Sequence, residues 1–364
     1  MPFTMFRLMS NKPSLWYVYP MWHTVSFTLI ARKHIEYMKK YVHIEEVDEL
    51  AFPHITPHSK PVVFIHPFYY CMIRASKFIS RKLHMYTALI GIDVADSDHI
   101  SNLAVSITNY AKAIVVPSSY AKRVYEKSGV RVPVYVVPHG LDVEWYHKPK
   151  TIKYFHDLHK LKQEKKLHLL LYYLWHSPYR KGFDLVYEFY KRLKKERKDV
   201  MLVFKTRTSD GKEAKLMRQL GVIHIYGWLT EEQKIELYDL CDIYPLFSRG
   251  GGFEHNGLEA LVRGEVVLAA KEGSWTEYLP SFSLVDCKPC PYVLKDNPIH
   301  DGRGVEVIVE KAVDKAHEIL DNLEEYKAKV REHVEKHVRP RFNWPFIASR
   351  LYNIYNSIVN ELAR

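Results

Sequence analysis

The stretch Ser248–Leu279, SRGGGFEHNGLEALVRGEVVLAAKEGSWTEYL, decides the reading of this 364-residue chain. Gly250, Gly251 and Gly252 follow the apolar run DIYPLF (242–247) and precede a helical period over 256–263. That period leads into a second apolar run, VVLAA (266–270). Strand, glycine turn, helix and strand in that order make a βαβ unit. Glycine lets the backbone approach a ligand, and the N–H groups at a helix start favour an anion such as a phosphate. Glu259 falls one turn inside the helix and Glu254 in the loop before it. Carboxylates so placed can accept hydrogen bonds from sugar or ribose hydroxyls. Taken alone, such a turn is equally an ordinary structural loop.

The same alternation extends outward. LHLLLYYL (167–174), MLVFKT (201–206) and VIHIYG (222–227) read as buried strands. Helical periods run over 184–195, 210–220 and 230–240, the last opened by Thr230 with Glu231 and Glu232 in its first turn. Residues 306–338 read as a long amphipathic helical region. In the first half, strands are expected over 14–20, 42–47, 61–67, 86–94, 113–118 and 132–140. Helices are expected between them over 23–41, 67–85, 100–110 and 119–128. The class is therefore α/β, with two doubly wound parallel sheets joined by a charged linker over 148–166. In such sheets ligands bind outside the carboxyl ends of the strands, here in the cleft between the domains.

Composition bounds the function. The length suggests two or three domains, and 47% apolar with 26% charged residues excludes a disordered chain. No uncharged apolar run reaches about 18 residues, which excludes a spanning helix. The first twenty residues lack the apolar core of a signal peptide. Four cysteines (Cys71, Cys241, Cys287, Cys290) are too few for a disulfide scaffold and suit a reducing cytoplasm. Cys287 and Cys290 form a single CxxC, read as a turn closed by prolines rather than half of a zinc site. The net charge of +11 is uneven: residues 1–150 carry +7 and the remainder +4. An anionic partner or surface for the first half follows. No nucleic-acid recognition motif accompanies the charge, so no nucleic-acid partner is expected. Only three glutamines stand beside 53 Lys and Arg, a bias resembling thermophile composition.

The segment from Gly251, G-G-F-E-H-N-G-L-E-A-L-V-R-G-E-V-V and then K-E-G-S-W-T-E, resembles the donor-site signature of GT-B glycosyltransferases, specifically family 4. Gly252, Phe253, Leu258, Glu259, Ala260, Gly264, Val266, Gly273 and Glu277 fall in register. Other pieces follow in the family's order over about residues 86–360. YLWHSPYRKGFDLVYEF (173–189) is similar to its strand–loop–helix ending in Lys-Gly. Residues 111–146 are similar to the end of its N-terminal domain, and 341–355 to the last helix, which crosses back to the first domain. Departures are equally specific. Gly251 stands where the family carries the Glu that touches the transferred sugar, Trp175 or His176 replaces an Arg, and Tyr19–Trp22 replaces a glycine turn.

The resemblance implies two Rossmann-like domains: 1–148 for the acceptor, 149–340 for the nucleotide-sugar donor, and a crossing helix over 341–364. It implies a retaining hexosyltransferase that uses a nucleotide-diphosphate sugar, with no metal and no other cofactor. Arg180 and Lys181 would hold the diphosphate together with Gly251, Gly252 and Phe253, with Lys205 and Arg249 as further cations. Glu259, Gly227, Trp228 and Leu229 would hold ribose and base. Asp93, His66 and Glu254 are the candidates for the reacting centre, Asp93 with a helix-capping role as its alternative. His139 is read as hinge or pocket lining. Arg74, Lys77 and Arg81 form a stripe on the helix over 67–85, interleaved with Ile73, Phe78 and Ile79. It is either a solvated face or a peripheral contact with a membrane that carries a lipid-linked acceptor. A silent sugar-nucleotide binder and a GT-B-shaped sugar-nucleotide epimerase are the alternative functions.

Overall fold

The structure, a computed structural model, describes residues 13–362; the leader reading of residues 1–12 lies outside the described residues. Contacts divide the chain into two compact units. The first comprises the described residues up to Ala95, His99–Gly140 and the segment from Phe342; the second comprises Asp96–Asp98 and Leu141–Arg341.

The first unit runs β1 (Leu15–Tyr19), α1 (Ser26–Met38), β2 (Ile44–Asp48), β3 (Val62–Ile65), α2 (Phe68–Arg81), β4 (Ala88–Ile92), α3 (Asn102–Thr108), β5 (Ala113–Val116), α4 (Ser119–Lys127) and β6 (Val134–Val136). All pairs are parallel, in the order β2-β1-β3-β4-β5-β6. Apart from the edge strand β2 (IEEVD), whose Glu45 and Glu46 are exposed, the strands form where the sequence is continuously apolar, because both faces of a parallel sheet are covered. On one face, Tyr17, Tyr19, Phe64 and Ile90 pack with Ile35 of α1 and with Ile347, Leu351 and Tyr355 of the chain's last helix, Trp344–Leu362. Each such aliphatic side chain contributes about 1.5–3 kcal/mol on burial.

The second unit begins with α5 (Val143–His147) and α6 (His156–Glu164). It continues with β7 (His168–Leu174), α7 (Phe183–Glu196), β8 (Val200–Thr206), α8 (Lys212–Gln219), β9 (Ile223–Tyr226), α9 (Glu231–Leu240), β10 (Ile243–Leu246), α10 (His255–Val262), β11 (Val266–Ala270) and β12 (Leu284–Val285). It closes with β13 (Cys287–Cys290), β14 (Gly304–Val307), α11 (Val309–Asp321) and α12 (Leu323–His333), and the chain then returns to the first unit as α13, the helix Trp344–Leu362. The main sheet is again all parallel, in the order β12-β11-β10-β7-β8-β9. Its switch point lies between β7 and β10, where connections leave in opposite directions.

Three local expectations are corrected. DCKPCPY is a strand, not a turn: β13 pairs antiparallel with β14. A two-stranded ribbon has only edges, so Pro289 sits in it without costing a ladder bond. The stretch read as a linker holds α6, and the carboxylate of Glu236 on α9 accepts the N–H groups of Lys153, Tyr154 and Phe155 just before it. The long helical region begins as β14 and breaks at Asn322 into α11 and α12. No helix among the described residues is long and apolar enough to cross a membrane.

Candidate active site

The loops after β7 and β10 are stitched together at the switch point. Gly182 adopts φ 66°, and a Cβ built on it would stand 2.0 Å from the carbonyl oxygen of Phe247. Only glycine allows that approach. One turn further, the Arg249 N–H donates to the Arg180 carbonyl at 2.7 Å. These two contacts deliver Arg180 and Lys181 against the turn Gly250–Gly252.

There the side chains converge on Glu254. Lys181 Nζ lies 2.6 Å from Oε2 and Arg180 Nη1 3.3 Å from Oε1. Arg180 Nη1 also lies 3.4 Å from the Gly250 carbonyl and 3.9 Å from Oδ1 of Asp96. Burial lowers the Lys181 pKa against the opposing pull of Glu254. Burial alone would raise the Asp96 carboxyl, but Arg180, His300, Lys181 and a hydrogen bond from the Gly252 backbone hold it below the usual aspartate value. A small pocket lies beside Lys181 and Glu254 along Tyr172, Tyr244 and Ser248.

Glu254 holds φ 59° and ψ 66°, a left-handed conformation that costs a non-glycine residue about 1–3 kcal/mol. Its surroundings over-determine it. The Tyr278 hydroxyl and the Gly257 N–H both donate to its carbonyl, and Ser274 Oγ donates to the Gly251 carbonyl at 2.6 Å.

Glu259, on α10, is buried. It accepts from Lys234 Nζ at 2.6 Å and from the Tyr238 hydroxyl at 2.9 Å, while Asn256 donates to the same hydroxyl. Burial alone would lower Lys234, but Glu259 and Glu231 hold its pKa above the ordinary lysine value. Beyond β8 and β9, Gly227 begins a loop whose Trp228 is 64% exposed and meets Trp175 edge-on at 5.7 Å. Lys205 lies beneath: its ammonium donates to the carbonyls of Thr206 and Gly227 and sits against the rings of Tyr173 and Trp175. Burial lowers its pKa to about 8.

The family model described as glycosyl transferases group 1 matches residues 156–285. Uncharacterized protein 356 of Sulfolobus islandicus rod-shaped virus 1 is 34% identical over 330 residues, 88% of this chain and 92% of that protein. The chain belongs to the group 1 glycosyltransferases. Its fold is GT-B. Anabaena Alr3699/HepE, solved in complex with UDP and glucose, superposes with a TM-score of 0.67 at 13% identity, over 95% of this chain and 100% of that one. A glycosyltransferase from Rickettsia africae gives 0.65 at 15%, over 96% and 99%.

In this glycosyltransferase the sequence-derived candidates fall into distinct places. Arg180, Lys181, Gly251, Gly252 and Glu254 lie together. The ring of Phe253 is buried against Tyr278, so at that residue the backbone faces the turn. Lys205 is engaged under the Gly227–Leu229 loop. Arg249 directs its guanidinium inward to Asp184, Glu306 and the Tyr179 carbonyl. In the first unit, Asp93 follows β4, and its carboxylate accepts the N–H groups of Tyr69 and Val94, tying down the start of α2. His66 follows β3, with Nδ1 3.2 Å from the Tyr17 hydroxyl, which also lies 2.7 Å from Nδ1 of His34. Burial drives the His66 pKa down to about 3. Sequence reading missed Asp96, His300, Lys234 and Tyr238. For Asp96 the available signal was the acidic run ADSD directly after a buried strand.

Among the described residues, no three His, Cys, Asp or Glu side chains are grouped so as to hold a metal ion. Cys287 and Cys290 are free thiols, and Cys290 Sγ donates to the Tyr292 carbonyl.

Proposed function

We propose that this glycosyltransferase transfers a hexose from a nucleotide-diphosphate sugar with retention of configuration, the diphosphate resting on Arg180, Lys181 and the amides of Gly251 and Gly252. The observation that carries this reading is the convergence of both cations on the glycine turn at the carboxyl ends of β7 and β10. Such a seat meets the charge that develops on the departing diphosphate without a metal ion. Glu259 takes the ribose hydroxyls, and the Gly227–Leu229 loop, with the exposed face of Trp228, takes the base. Glu254 takes the sugar hydroxyls from the place of the family's first glutamate. The acceptor oxygen bonds to the anomeric carbon on the face the diphosphate leaves; the C–O electron pair stays with the diphosphate, which takes the acceptor's proton. Asp93 and His66 are the first-unit candidates for that centre. Burial keeps His66 neutral, so it would act as a hydrogen-bond partner rather than as a charged acid.

HepE's complex with UDP makes UDP the first nucleotide to try. The test is thermal unfolding against UDP, GDP, ADP, CMP and their sugar conjugates. A ligand of the folded state stabilises by about 2.7 kcal/mol at a hundredfold excess over Kd. A shift with one diphosphate supports the reading; none, in a folded sample, sinks it. Turnover should persist in EDTA, and proton NMR of the product should show the donor's anomeric configuration.

For the acceptor, α2 exposes Tyr70, Ile73, Arg74, Lys77, Phe78 and Arg81 on one arc, with Arg74 paired to Glu49 at 2.7 Å; Ile79, expected on that stripe, is instead buried in the core behind it. A basic arc with apolar neighbours fits an anionic lipid surface, and with it a lipid-linked acceptor. Lys77→Glu with Arg81→Glu should abolish sedimentation with anionic vesicles. No sedimentation of the wild type with either anionic or neutral vesicles would point to a solvated face instead.

A further inference from the structure

We propose that Asp96 is a resident anion in the donor's diphosphate seat, displaced when a nucleoside diphosphate binds. The inference rests on the donor reading above and adds to it a residue that competes with the ligand.

Asp96 engages the groups assigned to the diphosphate. Its carboxylate accepts from the Gly252 N–H, lies 3.9 Å from Arg180 Nη1 and feels Lys181. Its carbonyl presses on the turn from above: a Cβ built on Gly250 would stand 2.0 Å from that oxygen. Glu254 takes the other side of the same two cations. Two positive side chains therefore face two carboxylates, and the seat is neutral as it stands. A diphosphate brings its own negative charges to the same amide and guanidinium. Like charges on shared donors in a partly buried site repel strongly, so ligand and Asp96 cannot both keep these contacts.

The segment that carries Asp96 is built to release. Asp96–Asp98 is a three-residue strap of the second unit, with first-unit residues on either side of it in sequence. It is tied to residues 300–303 by polar contacts: Asp96 N–H to His300 Nδ1 at 3.4 Å, Gly302 N–H to Ser97 Oγ at 3.1 Å, and Arg303 N–H to Asp98 Oδ1 at 2.6 Å. The Asp98 N–H donates to the Arg303 carbonyl at 3.0 Å. Water can replace each of these bonds when the strap lifts, unlike a packed apolar anchor.

The test is calorimetric titration of the full chain with UDP, inorganic pyrophosphate and uridine, in wild type, Asp96→Asn and Ser97→Ala. Asp96→Asn should bind UDP and pyrophosphate about tenfold more tightly, the factor that corresponds to one charge-assisted hydrogen bond. Ser97→Ala, which loosens the strap alone, should shift both in the same direction, and uridine affinity should not change. If Asp96→Asn binds UDP as well as or less well than wild type, Asp96 supports Arg180 instead; the proposal then falls and the donor reading stands. If no variant binds any diphosphate, both fall. Should Asp96→Asn fail to fold, an unchanged affinity in Ser97→Ala overturns the proposal by itself.

Discussion

A Cβ built on Gly251 would stand 2.0 Å from Oε1 of Glu254, so the Glu254 carboxylate fills the space that a side chain at 251 would enter. The family's donor signature carries a glutamate at the position of Gly251. Here the left-handed backbone of Glu254 folds a carboxylate back from three residues later into that space. One acidic group thus survives the apparent loss of another.

Exchanging the two residues is the corresponding experiment. Gly251→Glu alone places two carboxylates in one space, and Glu254→Gly alone removes the carboxylate 2.6 Å from Lys181. Each should lower turnover by about a hundredfold or more, as removal of one preorganised contact does. The pair Gly251→Glu with Glu254→Gly should return activity to near wild type, with glycine also relieving the strain at 254. The readout is release of nucleoside diphosphate from the donor. A double variant no better than either single would show that position 254 does not stand in for 251.

Glu259 has a structural role beside its proposed ligand role, and the two are separable. Glu259→Ala takes from Lys234, whose side chain is 22% exposed, its nearer carboxylate and leaves it only Glu231 at 3.8 Å, and it removes the acceptor of Tyr238. Losing these hydrogen bonds to a charged group, with Glu231 still beside the ammonium, costs about 1.5–3 kcal/mol. Glu259→Leu with Lys234→Met should recover most of that stability in urea denaturation. Nucleotide binding should stay lost in both. Binding that returns with the repacked pair would assign Glu259 to the fold alone.

Much of this was legible before any coordinates, for identifiable reasons. PVVFIHP and LHLLLYYL announce buried parallel strands because both faces of each strand are covered. Thr230 announces α9, and the structure adds the reciprocal cap from Gln233. What was not legible depends on distant partners. Nothing in DCKPCPY indicates that Val305 and Glu306 will pair with it. Of α6 only Leu158 is buried, and Lys162 binds Asp242 across 80 positions of sequence. Arg249 looked like a free cation because its neighbours Asp184 and Glu306 lie 65 and 57 residues away. Asp96 reaches Gly252 only through the fold.

Lys205 should leave a signature at high pH. Burial lowers its folded pKa from 10.5 to about 8, so between those values the unfolded chain binds the proton that the folded chain has released. Stability contributed at this site therefore rises with pH across that window, and the cost of burying the charge is greatest below it. Lys205→Met should flatten this rise when denaturation is compared from pH 7.5 to 10. It should also loosen the Gly227 loop, which hydrogen exchange at Gly227 and Trp228 would register. Parallel stability profiles for wild type and variant would contradict a buried, easily discharged lysine.

The histidines beside β1 and β3 govern the acid side. The Tyr17 hydroxyl can donate to one ring and accept from the other with His34 and His66 neutral in complementary tautomers, and it cannot donate to either once both are protonated. Burial holds His66 at about 3 and His34 well below the ordinary value. An unfolded histidine titrates near 6.5, so as pH falls through that value protons bind the unfolded chain first. The stability these residues support is complete above about 6.5 and is lost progressively toward 3. Carboxylates also titrate in the lower part of that range, so the informative quantity is the difference from His34→Gln with His66→Gln, which should lose stability less steeply between pH 6.5 and 4. Imidazole resonances of His34 and His66 should stay fixed from pH 8 to 5 while exposed histidines move. A His66 midpoint near 6.5 would mean that the ring is open to water and able to carry charge, and it would return His66 to contention as a titrating acid.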